Sequence, residues 1–196
     1  AKTINKDIAT YPVKPYHANE IVVSVGAKQA ICNAIEALIG PDDEVIMPTP
    51  CWVSYVEMVK IAQGKSVLVK TTMENNFCLT AEQLEAAITP NTKLLMLCSP
   101  NNPTGSVYTL ENLKALVEVL QRHPQVIVLA DEIYQHILYT GKHETLAQFP
   151  ELEDRLILIN GVSKAFAMTG YRIGWLACHD PQLITAVKRL QGQMIT

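Results

Sequence analysis

The sequence predicts a three-layer α/β/α fold with a mostly parallel, seven-stranded sheet whose last strand is antiparallel. Short apolar or β-branched runs alternate with segments of helical spacing, which is typical of βα units. The runs in the middle of the chain are apolar throughout, as strands buried on both faces are. The last connection, residues 161–172, holds only 12 residues and is marginal for a crossover with its own helix.

The first strand is predicted at residues 20–25, a β-branched run that stops at Gly26. Residues 1–20 are mixed and polar, so we expect a frayed lead-in segment with the remains of a helix. Apolar residues at helical spacing predict a helix over residues 28–39, which a Gly-Pro pair ends. A second strand at 44–47, a helix through 56 and 59, and a third strand at 67–69 follow.

The second half of the chain begins with a capping box, Thr80 with Gln83, which predicts the start of a helix. The fourth strand, at 94–98, ends in a tight loop rich in proline and asparagine. The remaining elements are a helix over 110–120, strands at 126–130, 156–159 and 173–178, and a final helix that Asp180-Pro181 begins.

Composition excludes several function classes. The 196 residues are 48% hydrophobic, which suffices for one domain with a sizeable core. A net charge of -3 predicts neither a nucleic-acid partner nor a membrane surface, and no run is long enough to span a bilayer. Five dispersed cysteines favour reduced thiols in the cytoplasm, and no Cys or His cluster has zinc-like spacing, so we expect no metal site.

Polar side chains cluster at the predicted carboxyl ends of the strands, where ligands bind in such sheets. They are Lys28, Asn102, Asp131, Tyr134, Ser163 and Lys164. Trp52 also lies beyond a strand end, although ordinary core packing would explain an aromatic there. The sequence therefore predicts one pocket built from turns that are distant in sequence.

The chemistry of this set is narrow. Lysine forms an imine with a carbonyl cofactor once it is deprotonated, and Lys164 is the candidate. Asp131, at the end of a buried strand, can keep a pyridine nitrogen protonated so that the ring accepts electrons. Tyr134 and Asn102 can hydrogen-bond a phenolate oxygen, and Trp52 can stack on a flat ring.

The other end of the pocket suits a phosphate. The turn at Gly26, Ala27 and Lys28 joins a strand to a helix, so its backbone N–H groups and the helix dipole favour an anion. Ser163 and Arg172 can complete that site. Pyridoxal 5'-phosphate carries all the groups that these residues could bind: a carbonyl, a pyridine nitrogen, a phenolate oxygen, a flat ring and a phosphate.

These motifs occur together in one known family. The chain resembles the fold-type I, class I/II aminotransferases that depend on pyridoxal phosphate, most closely the bacterial aspartate aminotransferase subgroup. The resembling segments, in the family's order and spacing, are VSVGAKQA at 23–30, PTPCWVSY at 48–55, SPNNPTG at 99–105, ADEIY at 130–134 and SKAFAMTGYR at 163–172.

The resemblance implies a role for each matching residue. Lys164 would be the Schiff-base lysine and the base for the 1,3-proton shift, and Asp131 would hold the ring nitrogen. Tyr134 and Asn102 would bind the ring oxygen, and Trp52 would stack on the ring. Phosphate would be bound by Gly26, Ala27, Ser163 and Arg172. Substrate contacts are implied for Asn102, Trp52 and Lys28; the subgroup associates a lysine at position 28 with the distal carboxylate, although a solvated first-turn lysine would look the same.

The implied activity is transfer of an amino group between L-aspartate, or another amino acid, and a 2-oxo acid, by a homodimer in the full-length enzyme. The family's N-terminal arm and C-terminal small domain have no counterpart here, and the chain runs from Ala1 to Thr196 inside the last predicted helix. We therefore expect an excised large domain, with a lead-in at residues 1–20 and the cofactor-binding domain at 21–196. We expect that piece alone to lack full transamination activity.

Three alternatives remain open at this point. A related fold-type I enzyme, such as a C–S lyase or an aminocyclopropane-carboxylate synthase-like protein, shares the cofactor set. A non-catalytic sensing module would keep both the fold and the cofactor. A generic nucleotide-binding α/β domain needs a glycine-rich fingerprint after the first strand, which residues 26–31 lack.

Overall fold

A seven-stranded sheet runs through the middle of the computed structural model, which describes residues 1–195. The strands are β1 (Ile21–Val25), β2 (Glu44–Thr49), β3 (Lys65–Lys70), β4 (Thr92–Cys98), β5 (Ile127–Asp131), β6 (Leu156–Gly161) and β7 (Ile173–Ala177). The α-helices are α1 (Lys2–Ile8), α2 (Ala27–Leu38), α3 (Val53–Ile61), α4 (Ala81–Ala87), α5 (Leu110–Arg122) and α6 (Pro181–Met194).

The strand order is β1-β7-β6-β5-β4-β2-β3. Only β7 runs antiparallel to its neighbours, β1 and β6, and the other pairs are parallel. The carboxyl ends of β1 to β6 therefore meet at one edge of the sheet. The predicted fold class, including the antiparallel last strand, is confirmed.

Two hydrophobic cores cover the two faces of the sheet. Strand β4 shows why, because its successive side chains point to opposite faces. Leu94 and Met96 pack into the core formed with α2, α3 and α6, whereas Leu95 and Leu97 pack into the core formed with α4 and α5. Since both faces are buried, the strand has no polar alternation, which explains its apolar sequence.

Helix starts follow the capping signals of the sequence. The Thr80 side chain accepts a hydrogen bond from the backbone N–H of Gln83, which completes the predicted capping box of α4. Asp180 caps α6 by accepting from the N–H groups of Gln182 and Leu183. No helix within residues 1–195 is long and apolar enough to cross a bilayer.

The bounds of several elements differ from those predicted. Residues 1–20 contain a complete helix, α1, which is tied down because Asn5 exchanges two hydrogen bonds of 2.8 Å with the backbone of Tyr16. Strands β2, β3 and β4 extend past their apolar runs, because polar residues such as Lys65 and Thr92 still pair in the ladder. Helix α6 ends at Met194 and Ile195 is extended, so the helix does not run to the end of the chain; Thr196 lies outside the described residues.

Candidate active site

A cavity of about 310 Å³ opens at the edge of the sheet where the parallel strands end. It is lined by nine of the ten residues predicted to form the site: Ala27, Lys28, Trp52, Asn102, Asp131, Tyr134, Ser163, Lys164 and Arg172. The tenth, Gly26, lies against the guanidinium of Arg172 just beside it. The turns after β1, β2, β4, β5 and β6 thus meet in one place, although they are distant in sequence.

Asp131 lines this cavity as the last residue of β5, and it is only 4% exposed. Its Oδ2 accepts a hydrogen bond of 2.6 Å from the Tyr55 hydroxyl, and its Oδ1 accepts one of 3.2 Å from the backbone N–H of Ile133. Burial raises the pKa of the carboxyl group to about 6, and these two hydrogen bonds offset only part of that effect. A cation placed beside Asp131 would stabilise the ionised form.

Lys164 follows β6 and is exposed at the mouth of the cavity, with its Nζ 6.0 Å from the centre of the Tyr134 ring. The side-chain amide of Asn102, which also lines the cavity, donates to the Tyr134 hydroxyl at 3.5 Å. Burial raises the pKa of Tyr134, so the phenol stays protonated near neutral pH. The cavity therefore places an amine, a phenol and an amide around one volume.

The phosphate-like end is built around the start of α2. Gly26 caps this helix with a φ of +81°, and a Cβ added there would lie 2.4 Å from Nη2 of Arg172. Arg172 is held in place because its Nη1 donates to the backbone oxygen of Thr169 at 3.0 Å. Ala27 and Ser163 form the adjoining wall. Free helix N–H groups, a guanidinium and a hydroxyl together favour a phosphate dianion.

Lys28 and Trp52 form the remaining wall. The Lys28 Nζ lies 4.7 Å from the centre of the indole ring, within the range of a cation–π contact. Trp52 is half-buried: one side packs on the core and the other lines the cavity, so core packing accounts for only part of its position. The indole also meets the Tyr55 ring edge-on, with 5.4 Å between ring centres.

Sequence reasoning missed five residues that line the cavity: Ile31, Tyr55, Cys98, Ile133 and Thr169. Tyr55 is the most consequential because it contacts Asp131 directly. A signal for it existed, since residues three apart on a helix lie on the same face, and Tyr55 follows Trp52 at that spacing.

The groups around the cavity fit pyridoxal phosphate in chemical type and in number. An amine, a buried carboxylate whose two hydrogen-bond donors are neutral, a phenol with an amide, and a basic helix start stand around one volume. The volume lies in the usual range for small-ligand sites. Gly26 leaves open the space that a Cβ would take from Arg172.

The family model described as aminotransferase class I and II matches residues 1–196. The aspartate/prephenate aminotransferase of Nitrosomonas europaea is 48% identical over 177 residues, which are 89% of this chain and 44% of that protein. The crystal structure of the aspartate aminotransferase from Rhizobium meliloti superposes with a TM-score of 0.94 at 44% identity, over 100% of this chain and 49% of that one.

A further solved structure is the aspartate aminotransferase of Thermus thermophilus with maleate. It matches with a TM-score of 0.90 at 39% identity, over 97% of this chain and 49% of that one. The chain thus spans slightly less than half the length of each of these three relatives.

Proposed function

The chain belongs to the class I and II aminotransferases, and on that premise we propose that the protein transfers an amino group between an L-amino acid and a 2-oxo acid with pyridoxal 5'-phosphate. The observation that carries the proposal is the placement of Lys164 and Asp131 on the walls of one cavity, with an anion-binding helix start beside them. When bound, the cofactor supplies an aldehyde carbon for an amine and a ring that accepts electrons.

Two residues of this chain would carry the chemistry. We assign to the Lys164 amine the covalent attachment at the aldehyde carbon and the movement of the proton during transfer, because its Nζ lies 6.0 Å from the centre of the Tyr134 ring on the cavity wall. We assign to Asp131 the task of holding a proton on the ring nitrogen, since its carboxylate is buried and pairs with no cationic side chain among the described residues.

The remaining residues would bind and orient. Tyr134 and Asn102, which already contact each other, would share the ring oxygen, and Asn102 would also reach the substrate carboxylate. Trp52 would cover the ring and border the substrate. At the other end, phosphate would be held by Gly26, Ala27, Ser163 and Arg172, with Lys28 close by.

We propose L-aspartate as the preferred amino-acid substrate. Lys28 is exposed within the cavity and its ammonium group rests on the indole of Trp52, so it is free to pair with a second carboxylate. The solved Thermus thermophilus relative with maleate, a dicarboxylate, supports this choice. The name of the Nitrosomonas europaea relative adds prephenate, which also carries two carboxylates, as a substrate to test.

We further propose that residues 21–196 form the cofactor-binding domain of a homodimer that works in the cytoplasm, with residues 1–20 leading into it. Phe166, Tyr171 and Ile173, in the segment that follows Lys164, are 59%, 70% and 41% exposed, and exposed apolar side chains of that kind favour a surface that a second subunit covers. All five cysteines are free thiols, which favours a reducing compartment.

The test is an assay of the full-length protein with pyridoxal phosphate, L-aspartate and 2-oxoglutarate. We expect glutamate and oxaloacetate to form together. A cysteine conjugate serves as the second substrate, because release of ammonia and pyruvate from it would identify a C–S lyase. Lyase activity without amino transfer would contradict the proposal.

A further inference from the structure

Tyr55 is the one side chain that reaches the carboxylate of Asp131 in the described part of the chain. Its ring is 3% exposed, and its hydroxyl donates to Oδ2 at 2.6 Å. The other oxygen, Oδ1, is taken by the backbone N–H of Ile133 at 3.2 Å. Both oxygens are therefore fixed, and the plane of the carboxylate is set before any ligand binds.

The position of Tyr55 comes from the first turn of α3. Trp52 caps this helix and Tyr55 lies one turn further on, so both point towards the cavity. Their rings meet edge-on with an interplanar angle of 83°, an arrangement that aromatic pairs favour. One short segment thus positions both the indole of Trp52 on the cavity wall and the Tyr55 phenol that hydrogen-bonds Asp131.

We propose that Tyr55 is a positioning residue for the amino-transfer reaction, which orients Asp131 towards the ring nitrogen of the cofactor and keeps its carboxylate ionised. This inference rests on the function proposed above. Nothing in the reaction requires Tyr55 to touch substrate or cofactor, since it acts through Asp131.

The electrostatics of the site support this role. Burial is the main cause of the raised pKa of Asp131, and the Tyr55 hydrogen bond is the main influence that opposes it. Burial also keeps the pKa of Tyr55 well above its usual value, so the phenol remains a donor. Other titratable groups on the walls around Asp131 are Lys28, Cys98, Glu132, Tyr134, Lys164 and Arg172.

The direct test is the pKa of Asp131 in the protein without cofactor, measured by NMR with 13C-labelled aspartate carboxyl groups. Asp131→Asn identifies the signal. A hydrogen bond to a charged group is worth enough to move a pKa by about one unit. We therefore expect Tyr55→Phe to raise the pKa of Asp131 by about one unit from its starting value near 6.

Tyr16→Phe is the matched control, because Tyr16 is equally buried at 3% but stacks on His179 away from the cavity. It should leave the Asp131 signal unchanged. The same Asp131 pKa in wild-type protein and Tyr55→Phe would overturn the proposal. The change to phenylalanine removes a single oxygen, and the NMR spectrum shows whether the variant keeps the fold.

If Tyr55→Phe does not fold, Tyr55→His serves instead, because histidine restores a hydrogen-bond donor and should return the pKa of Asp131 towards the wild-type value. A raised pKa of Asp131 in a folded Tyr55→His variant would overturn the proposal.

Kinetics of the protein with pyridoxal phosphate bound provide a second test. In Tyr55→Phe we expect the acidic limb of the kcat profile to move to higher pH by about the same unit, with KM for the amino acid little changed. If wild-type protein shows no amino transfer while the NMR shift occurs, the proposed function fails and the Tyr55–Asp131 coupling stands. If wild-type protein is active and neither profile moves, the coupling fails alone.

Discussion

The guanidinium of Arg172 fills the space that a side chain at Gly26 would occupy: a Cβ there would lie 2.4 Å from Nη2. Gly26→Ala should therefore push Arg172 out of the phosphate end of the cavity. Losing charge-assisted hydrogen bonds to phosphate should weaken pyridoxal phosphate binding about 10- to 100-fold. Absorbance titration of the full-length protein with the cofactor measures this.

Gly141→Ala is the control for backbone strain in that experiment. Gly141 has a φ of +71°, close to the +81° of Gly26, but a Cβ there would meet nothing within 4 Å. Both variants should lose stability, by about 1 kcal/mol or more, because of the positive φ. Equal cofactor affinity in the two variants would show that the position of Arg172 does not require the lack of a side chain at Gly26.

Asp131→Asn should change how stability depends on pH. The carboxyl pKa rises from 3.8 to about 6 on folding, so the folded state binds more protons between these values and wild-type stability falls as pH rises through them. The amide cannot ionise, so the variant without cofactor should gain up to about 3 kcal/mol over wild type above pH 7 and nothing below pH 4. Urea unfolding at several pH values measures the difference, and parallel curves would contradict the buried-carboxylate interpretation.

The same variant should behave oppositely in catalysis. With pyridoxal phosphate bound, Asp131→Asn lacks the negative charge that would keep the ring nitrogen protonated, so the electron sink weakens. We expect amino transfer to slow by at least ~100-fold, a typical cost of losing one preorganised electrostatic contact. Stopped-flow absorbance of the half-reaction with aspartate gives the rate, and an unchanged rate would remove Asp131 from the mechanism.

Much of this site was predictable from sequence, for a physical reason. Strands buried on both faces must be apolar, so a polar residue such as Asp131 at the end of such a run stands out as the start of the ligand-facing edge. Capping signals such as Asp180 act within a few residues, and the structure shows them where they were expected. Local chemistry and strand burial therefore determine much of what the sequence reveals.

The contacts between distant elements were not predictable in the same way. Tyr55 and Asp131 are 76 residues apart and meet only because α3 and β5 pack side by side. The strand order of the sheet likewise depends on crossovers that no local pattern specifies. Helix α1 was underestimated because its stability comes from tertiary contacts, including the Asn5–Tyr16 hydrogen bonds, and short isolated helices are marginal.

Lys28→Met should separate dicarboxylic from monocarboxylic substrates. Methionine keeps most of the length of the side chain over Trp52 but loses the charge that we propose for the second carboxylate. We expect KM for aspartate to rise about 10-fold or more, with little change for leucine. Lys60→Met is the control, since Lys60 lies on the solvent side of α3 beside Glu57. Equal effects on KM for both substrates would mean that Lys28 does not bind the distal carboxylate.

The central claim is that the Lys164 amine meets the aldehyde of pyridoxal phosphate in the cavity above Asp131. Borohydride reduction of the loaded full-length protein, followed by peptide mapping, tests it most directly. We predict that the loaded protein is yellow before reduction. After reduction, the pyridoxyl group should be found on the peptide that contains Lys164, and Lys164→Ala should carry no label. A label on another lysine, or a labelled Lys164→Ala protein, would contradict the account.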